Sequence, residues 1–143
     1  MISMVEIVSH RATSTAPASA FYQRWIDHES WSTWSPDTEW VRLSGPVAKG
    51  ATGTLKPKGG PKVKFVIKEL VPDREYTDTN YLPGARLVFQ HTATPSNGRT
   101  ELGVKVTMEG PLARLWALVM GKNFRKSAPE DLDRLIKLVE SHQ

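Results

Sequence analysis

Between Thr38 and Glu109 the sequence alternates apolar and polar residues, and this pattern constrains the fold more than any other feature. Residues 101–109 show it best, because every second side chain is apolar, which predicts a strand with one buried and one solvated face. Short turn sequences rich in Gly, Pro, Asn and Asp separate the segments, so consecutive strands are predicted to pair antiparallel. The candidate strands are 38–44, 52–57, 62–71, 75–82, 85–94 and 99–109.

The segment before these strands predicts one more strand and two short helices. Residues 2–13 carry β-branched side chains and are expected to be extended. Pro17 suits the first turn of a helix. The second helix should carry Trp31 and Trp34, because their three-residue spacing places both indoles on one side.

The C-terminal segment predicts a long helix. After Gly110-Pro111, apolar residues recur at the i, i+3, i+4 and i+7 spacing over 111–140. Gly121 and a capping-box signal at Ser127 and Glu130 predict a kink or break between about 121 and 128.

Composition limits the function classes. A chain of 143 residues fits one domain over residues 1–143, with ordinary apolar (39%) and charged (24%) fractions. The absence of cysteine excludes a disulfide framework, thiolate catalysis and a cysteine zinc site. No secretory signal or run of about 18 apolar residues occurs, so a cytoplasmic location without a membrane span is predicted. The histidines lack metal-ligand spacing, and no phosphate-binding or hydrolase motif occurs, so neither a metal nor a cofactor is expected.

Several stretches in this order carry a family resemblance. They are Ala16-Pro-Ala18, Trp31-Ser-Thr-Trp34-Ser-Pro36, Pro83-Gly-Ala-Arg-Leu-Val-Phe-Gln-His91 leading into Gly98-Arg-Thr100, and Gly110-Pro-Leu112. The chain thereby resembles the START-like (SRPBCC) superfamily and is similar to its bacterial polyketide cyclase/dehydrase-like group. The resemblance implies an α+β helix-grip fold, in which a curved seven-stranded antiparallel sheet surrounds a long C-terminal helix and two short helices follow strand 1. It also implies a cavity between sheet and helix, which members use for lipids, polyketides or aromatic compounds.

In such a fold one parity of each strand faces the helix, and those side chains are the candidate ligand wall. From the sheet we expect Phe65, Ile67, Leu87, Phe89, His91, Val104, Val106 and Met108. From the helix we expect Leu112, Leu115, Trp116, Val119 and Met120, with Trp40 and Tyr81 as residues of the mouth. Packing alone would place the same apolar residues inside.

His91 is the one candidate for catalysis, because it continues an apolar strand face and should point inward. It could donate to a ligand carbonyl or act as a base near neutral pH, either alone or together with Tyr76 or Tyr81. It could equally be a histidine near a strand end that bonds backbone or water. His28, at the start of a short helix, is expected to be exposed.

Three hypotheses follow for function. The first is binding or carriage of a small hydrophobic or aromatic ligand, and the second is a polyketide cyclase or dehydratase that uses His91. The third is an interaction or regulatory module that uses the lysines between Lys56 and Lys68. Because Lys62, Lys64 and Lys68 alternate with apolar residues and no aromatic is interleaved, we interpret them as a solvated strand face and expect no nucleic-acid partner. The sequence leaves the oligomeric state open.

Overall fold

The computed structural model describes residues 3–142, so Ile2, the first residue of the expected strand 1, lies outside the described residues. Seven antiparallel strands form one sheet with the order β1-β7-β6-β5-β4-β3-β2. The strands are β1 (Ser3–Ser14), β2 (Thr38–Leu43), β3 (Thr52–Pro57), β4 (Val63–Val71), β5 (Glu75–Leu82), β6 (Ala85–Ser96) and β7 (Arg99–Gly110).

Three helical segments cover one face of this sheet. They are α1 (Ala18–Ile26), a 3₁₀ helix (His28–Thr33) and α2 (Ala113–Glu140). The α+β class, the seven-stranded curved sheet, the two short helices after strand 1 and the long C-terminal helix are therefore confirmed. No helix among the described residues is long and apolar enough to cross a membrane.

Turn residues end the strands where the sequence predicts. Asp73, between β4 and β5, and Asn97, between β6 and β7, adopt positive φ angles of 60° and 52°. Aspartate and asparagine tolerate this left-handed conformation better than most residues. Gly84 turns β5 into β6 with φ 74°, and Leu112 packs so closely against it that a Cβ atom there would lie 2.5 Å from the leucine Cδ1.

The register of the ladders decides which side chains face the helices. Phe65 pairs with Asn80, and Asn80 pairs with Leu87, so these positions share one face. Asp78 pairs in the same way with Ile67 on one side and Phe89 on the other, and Tyr76 pairs with His91. These residues lie on that same face. Three consecutive inward positions of β5 are therefore polar, which is unusual for the inner face of a sheet.

Helix α2 lies mainly over β1 and β7, at one side of the sheet. In its first half the buried residues are the small Ala113, Ala117 and Gly121, which allow the helix to approach the strands closely. The short helices cover the other side, against β2, β5 and β6. Helix α2 thus covers one side of this sheet face, and the two short helices cover the other side.

The expected break in the C-terminal helix does not occur. Helix α2 is continuous from Ala113 to Glu140 and contains Pro129. Ser127 and Glu130 therefore lie within the helix, and the capping-box interpretation is wrong. Buried residues on both sides of the proline, such as Ala128 and Leu132, hold the helix on the sheet and offset the hydrogen bond that proline cannot donate.

Side-chain hydrogen bonds attach α2 to the rest of the molecule. The Trp116 indole donates to the Pro83 carbonyl oxygen (2.7 Å), near the N-terminus of the helix. The Ser35 hydroxyl, which follows the 3₁₀ helix, donates to an Asp131 carboxylate oxygen (2.7 Å). These contacts join α2 to the turn between β5 and β6 and to the segment that follows the 3₁₀ helix.

Candidate functional site

A cluster of aromatic rings fills the space beneath the short helices. It contains Trp25 from α1, His28 and Trp31 from the 3₁₀ helix, and Tyr76 and His91 from neighbouring strands. Neighbouring ring centroids in this cluster lie between 4.9 and 6.4 Å apart, with Trp34 and Phe65 at its edges. Tryptophans spaced along two short helices thus converge on one point of the sheet.

His28 lies inside this cluster, and the expectation that it is exposed is wrong. Its imidazole stacks on Trp31 with a centroid distance of 4.9 Å and on Phe65 at 5.8 Å. The 3₁₀ turn after Asp27 directs the ring down onto the sheet, so His28 is buried despite its polar neighbours in sequence.

A chain of hydrogen bonds links His28 to the polar inner face of β5. The His28 Nε2 atom lies 2.7 Å from the Tyr76 hydroxyl, and Tyr76 shares a hydrogen bond with Asp78. The Asn80 amide donates to the Asp78 carboxyl group (2.9 Å) and to the Leu87 carbonyl oxygen (3.3 Å). Buried polar groups require such partners, because each one left unpaired costs about 1–3 kcal/mol.

Burial shifts the pKa of each titratable side chain in this hydrogen-bonded series, namely His28, Tyr76 and Asp78. It lowers the pKa of His28 to about 4, although a hydrogen bond to the Ile26 carbonyl and the Asp27 charge oppose the fall. It raises the pKa of Asp78 to about 7, against the hydrogen bonds from Asn80 and Tyr76. The pKa of Tyr76 rises well above its ordinary value through burial and the Asp78 charge. Near neutral pH the chain therefore holds a neutral imidazole and a half-protonated carboxyl group.

The directions of the hydrogen bonds follow from these protonation states. A neutral His28 that uses its other ring nitrogen as donor to Ile26 accepts the Tyr76 hydroxyl proton at Nε2. The Tyr76 oxygen then accepts from Asp78 while that carboxyl group is protonated, and the Tyr76 hydroxyl donates to Asp78 instead once the carboxyl group ionises. The Asp78 carboxyl group, the Tyr76 hydroxyl and the His28 Nε2 atom thus form one continuous hydrogen-bonded chain.

Two indole groups beside this chain have no acceptor. The Nε1–H groups of Trp25 and Trp34 are buried and make no hydrogen bond to a described residue. Trp31 differs, because its Nε1–H donates to the Trp25 carbonyl oxygen (3.1 Å). Two unpaired donors in one cluster are an unusual cost, and such groups often mark a place where a ligand or water completes the site.

His91 lies next to both unpaired indoles. Its ring centroid is 5.6 Å from Trp25 and 6.4 Å from Trp34, and burial lowers its pKa to about 4. No hydrogen bond joins its ring nitrogens to a residue within 4–142. A neutral imidazole with free nitrogens can either donate to or accept from a bound molecule.

Packing between the sheet and α2 is incomplete beside His91. Phe89 and His91 face inward yet keep partial exposure, and so do Met120 and Phe124 on the helix. One edge-to-face contact between Phe89 and Phe124, with centroids 5.5 Å apart, spans this region. Apolar rings therefore border the unpaired polar groups on the side of α2.

Two surface grooves lie away from the aromatic cluster. One of about 320 Å³ is lined by Pro17, Ala20, Arg24, Val139 and His142. Another of about 440 Å³ lies between residues 15–18 and 95–100. Neither includes a residue of the expected ligand wall.

The sheet residues expected in the wall do share the face that the helices cover. Phe65, Ile67, Leu87, Val104, Val106 and Met108 are buried, while Phe89 and His91 are partly buried. From the helix, Trp116 and Met120 are partly buried. Whether these side chains contact a ligand stays a prediction.

Three of the expected helix residues are exposed, contrary to their expected inward orientation, and the two expected mouth residues lie on the outer face of the sheet. Tyr81 follows the inward Asn80 and so points to the outer face, where it pairs with Arg86. Trp40 precedes the buried Val41 and also lies outside. The Arg42 guanidinium carbon stands 4.3 Å from the centre of its ring. Leu112, Leu115 and Val119 are exposed, because the small side chains in the first half of α2 pack on the sheet instead.

Sequence reasoning missed Asp78 and Asn80 as well as His28. The signal for the first two was present, because β5 carries polar residues at both parities and one parity had to face inward. No periodicity could have indicated His28, since a 3₁₀ helix of six residues is too short for a pattern. No group of three or more metal-ligating side chains occurs among the described residues.

The sequence matches one protein family over nearly its whole length. The profile of the family described as "Polyketide cyclase / dehydrase and lipid transport" matches residues 5–140. No curated protein matches the sequence.

Several solved structures share the fold. The protein named Ara h 8.0201 has a TM-score of 0.73 at 13% identity, with 99% of each chain covered. The Zhui aromatase/cyclase from Streptomyces sp. R1128 has a TM-score of 0.74 at 17% identity, covering 96% of this chain and 94% of that one. The di-domain aromatase/cyclase StfQ of the steffimycin biosynthetic pathway reaches 0.76 at 13% identity, and the 97% of this chain that aligns spans 52% of StfQ. At these identities the likeness shows the fold alone.

Proposed function

Because the chain belongs to the polyketide cyclase/dehydrase and lipid transport family, we propose that it binds a small hydrophobic or aromatic molecule between its sheet and α2. The single observation that carries the proposal is the group of unpaired polar atoms in the interior, the indole N–H groups of Trp25 and Trp34 beside the free imidazole of His91. The proposal includes the cytoplasmic location expected from the sequence.

The chemistry of these groups defines the ligand. Two N–H donors and a neutral imidazole suit an oxygen that accepts hydrogen bonds, such as a ketone, quinone or phenol oxygen. The surrounding Phe89, Phe124 and Met120 suit a flat or flexible apolar body. A small number of polar groups in an apolar wall is the usual composition of such sites.

Entry requires movement, because the rings beneath the short helices are packed together. The Phe89–Phe124 contact is the only ring contact in residues 4–142 that joins the sheet to α2. Separating these two rings would open the interior beside His91. The ligand would then replace their contact with its own apolar surface.

A screen of purified protein tests the proposal. Native mass spectrometry and thermal shift with aromatic ketones, quinones and fatty acids should identify a class that binds and raises the melting temperature. Trp34→Phe should then weaken binding of the oxygen-bearing ligand about 5- to 10-fold, the value of one hydrogen bond. Absence of any bound or stabilising compound across these classes would contradict the proposal.

Trp31→Phe is the matched control, since it removes the same ring atoms but breaks an existing bond to the Trp25 carbonyl. It should destabilise the free protein more than Trp34→Phe, which only removes an unpaired donor. An oxygen-free hydrocarbon ligand should bind the Trp34→Phe variant as well as it binds the original protein. Equal weakening for both ligands would mean that Trp34 acts through packing alone.

A second candidate function is a cyclase or dehydratase, and the chain of Asp78, Tyr76 and His28 favours it. Ring closure of a polyketide-like substrate needs a base at an acidic carbon and an acid at a carbonyl oxygen. His91 is neutral and free to accept a proton, and Asp78 holds a proton that Tyr76 can relay. Asp78 and His91 thus lie on the inner face of two neighbouring strands, one with a proton to give and the other free to accept one.

His91→Gln tests this candidate, because glutamine keeps a neutral hydrogen-bonding group but cannot act as the base. Turnover of a poly-β-ketone surrogate should fall about 100-fold or more, while ligand affinity changes little. His10→Gln is the control, since His10 is half-buried on the same face of the sheet as His91. It lies on β1, where it pairs with Val104 of β7. Equal losses in both variants, or loss of the fold with activity, would contradict a catalytic role for His91.

A further inference from the structure

The first half of α2 carries a face that its packing on the sheet leaves uncovered. Leu115, Leu118 and Val119 are 55%, 82% and 64% exposed and lie within about two helical turns. Their spacing of three and four residues puts them on one side of the helix, together with Lys122. Soluble proteins seldom group three large aliphatic side chains at such exposure without a binding partner.

The charge around this face has one sign. Residues 113–126 contain Arg114, Lys122, Arg125 and Lys126 and no acid. Arg114, Lys122 and Lys126 form no ion pair with a residue in 4–142, and the Arg125 Nε–H donates to the Ile7 carbonyl oxygen (3.2 Å). The second half of the same helix, residues 127–140, has four acids and two cations. Positive charge is therefore concentrated where the aliphatic side chains are exposed.

We infer that this face of α2 docks on an anionic lipid bilayer. Aliphatic side chains flanked by lysine and arginine are the features of a helix that lies in the membrane interface, with its apolar residues among the acyl chains and its cations at the headgroups. The helix does not cross the bilayer. Its axis lies parallel to the surface, and the sheet remains on the water side.

Two other occupants fit this face less well. A second copy docked by two-fold symmetry would place both sets of cations opposite one another, which opposes association. A nucleic acid would match the charge, but the exposed side chains are aliphatic and offer no ring for base stacking. The bilayer alone uses both the charge and the apolar side chains.

Vesicle co-sedimentation of the full chain tests the inference. Binding is expected to vesicles of phosphatidylcholine with phosphatidylglycerol, with much weaker binding to phosphatidylcholine alone and release at high salt. The double variant Lys122→Gln with Lys126→Gln should weaken binding about thirty-fold, because each lost cation near the surface weakens it about fivefold and the two factors multiply. Leu115→Ser with Leu118→Ser should weaken it at least tenfold without lowering the melting temperature, because both side chains are in solvent.

The matched control is Lys62→Gln with Lys64→Gln. This pair removes the same charge from exposed positions at the start of β4, where Phe65 and Ile67 face the sheet interior and no exposed aliphatic face accompanies the lysines. Binding of this variant should stay within about twofold of the original, since these lysines lie away from α2. Equal loss in both lysine pairs, or no binding to anionic vesicles, would overturn the inference. So would concentration-dependent dimerisation that the Leu115/Leu118 variant abolishes, measured by light scattering without lipid.

Discussion

Asp78→Asn is expected to stabilise the protein against unfolding at alkaline pH, by an amount that grows from near zero at pH 4 to about 4 kcal/mol above pH 7. The pKa of Asp78 is about 7 in the folded protein against an ordinary 3.8. The folded state therefore keeps a proton that the unfolded chain releases between these values. The free energy of unfolding falls as pH rises through this window, at about 1.4 kcal/mol per pH unit.

Other buried titratable groups also make the free energy of unfolding depend on pH. The difference in this free energy between Asp78→Asn and the original protein is therefore more informative than the pH profile of either protein alone. The pKa values of His28 and His91 fall to about 4, so their contribution to stability rises with pH between about 4 and 6.5. Burial raises the pKa of Asp131 to about 6, which acts in the same direction as Asp78. These opposing slopes should flatten the profile of the original protein.

Urea unfolding at several pH values measures the effect. The difference between Asp78→Asn and the original protein should follow one titration centred between the two pKa values. Thr107→Val, a buried change that does not titrate, should give a difference that is constant with pH. Parallel profiles for Asp78→Asn would show that the Asp78 carboxyl group is charged in the folded protein at neutral pH.

Trp25→Ala is expected to cost about 3–5 kcal/mol of unfolding free energy, because this side chain is almost fully buried beneath α1. The Trp25 carbonyl that accepts from Trp31 belongs to the backbone, so that bond survives and the loss reports packing. Trp40→Ala should cost about 1 kcal/mol or less, since Trp40 packs on the outer face against Arg42. Urea unfolding compares the two.

Chemical rescue makes this test more specific. The space left by the Trp25 side chain is bordered by His91 and apolar residues, so added indole should bind there and raise the melting temperature of Trp25→Ala. The Trp40→Ala variant should not respond, because its substitution leaves no enclosed space. Similar stability losses in both variants, without rescue, would mean that α1 does not cover the sheet as described.

The strands and their pairing could be predicted because local signals determined them. The segments 52–57 and 75–82 agree with β3 and β5 to the residue, and 85–94 ends two residues before β6 does. The alternation of apolar and polar residues predicted which face of each strand is buried. Residues that tolerate positive φ predicted where the turns lie.

The contents of the interior could not be predicted to the same extent, because they depend on contacts between distant segments. Helix α2 has two stripes that could face inward, the leucines and the small residues, and hydrophobicity favours the leucines. The close approach to β1 and β7 selects Ala113 and Ala117 instead. Likewise, only the register with Ile67 and Phe89 shows that Asp78 lies inside.

The position of β1 in the sheet has a consequence for how the chain folds during synthesis. β1 is made first, but its strand partner is β7, and Ser14 pairs with Thr100. The helix that covers both strands is made last. Such long-range pairing is associated with slow folding, on the millisecond to second scale. The residues up to and including β7 must therefore emerge from the ribosome before β1 is paired, and until then that strand depends on chaperones or on its own solubility.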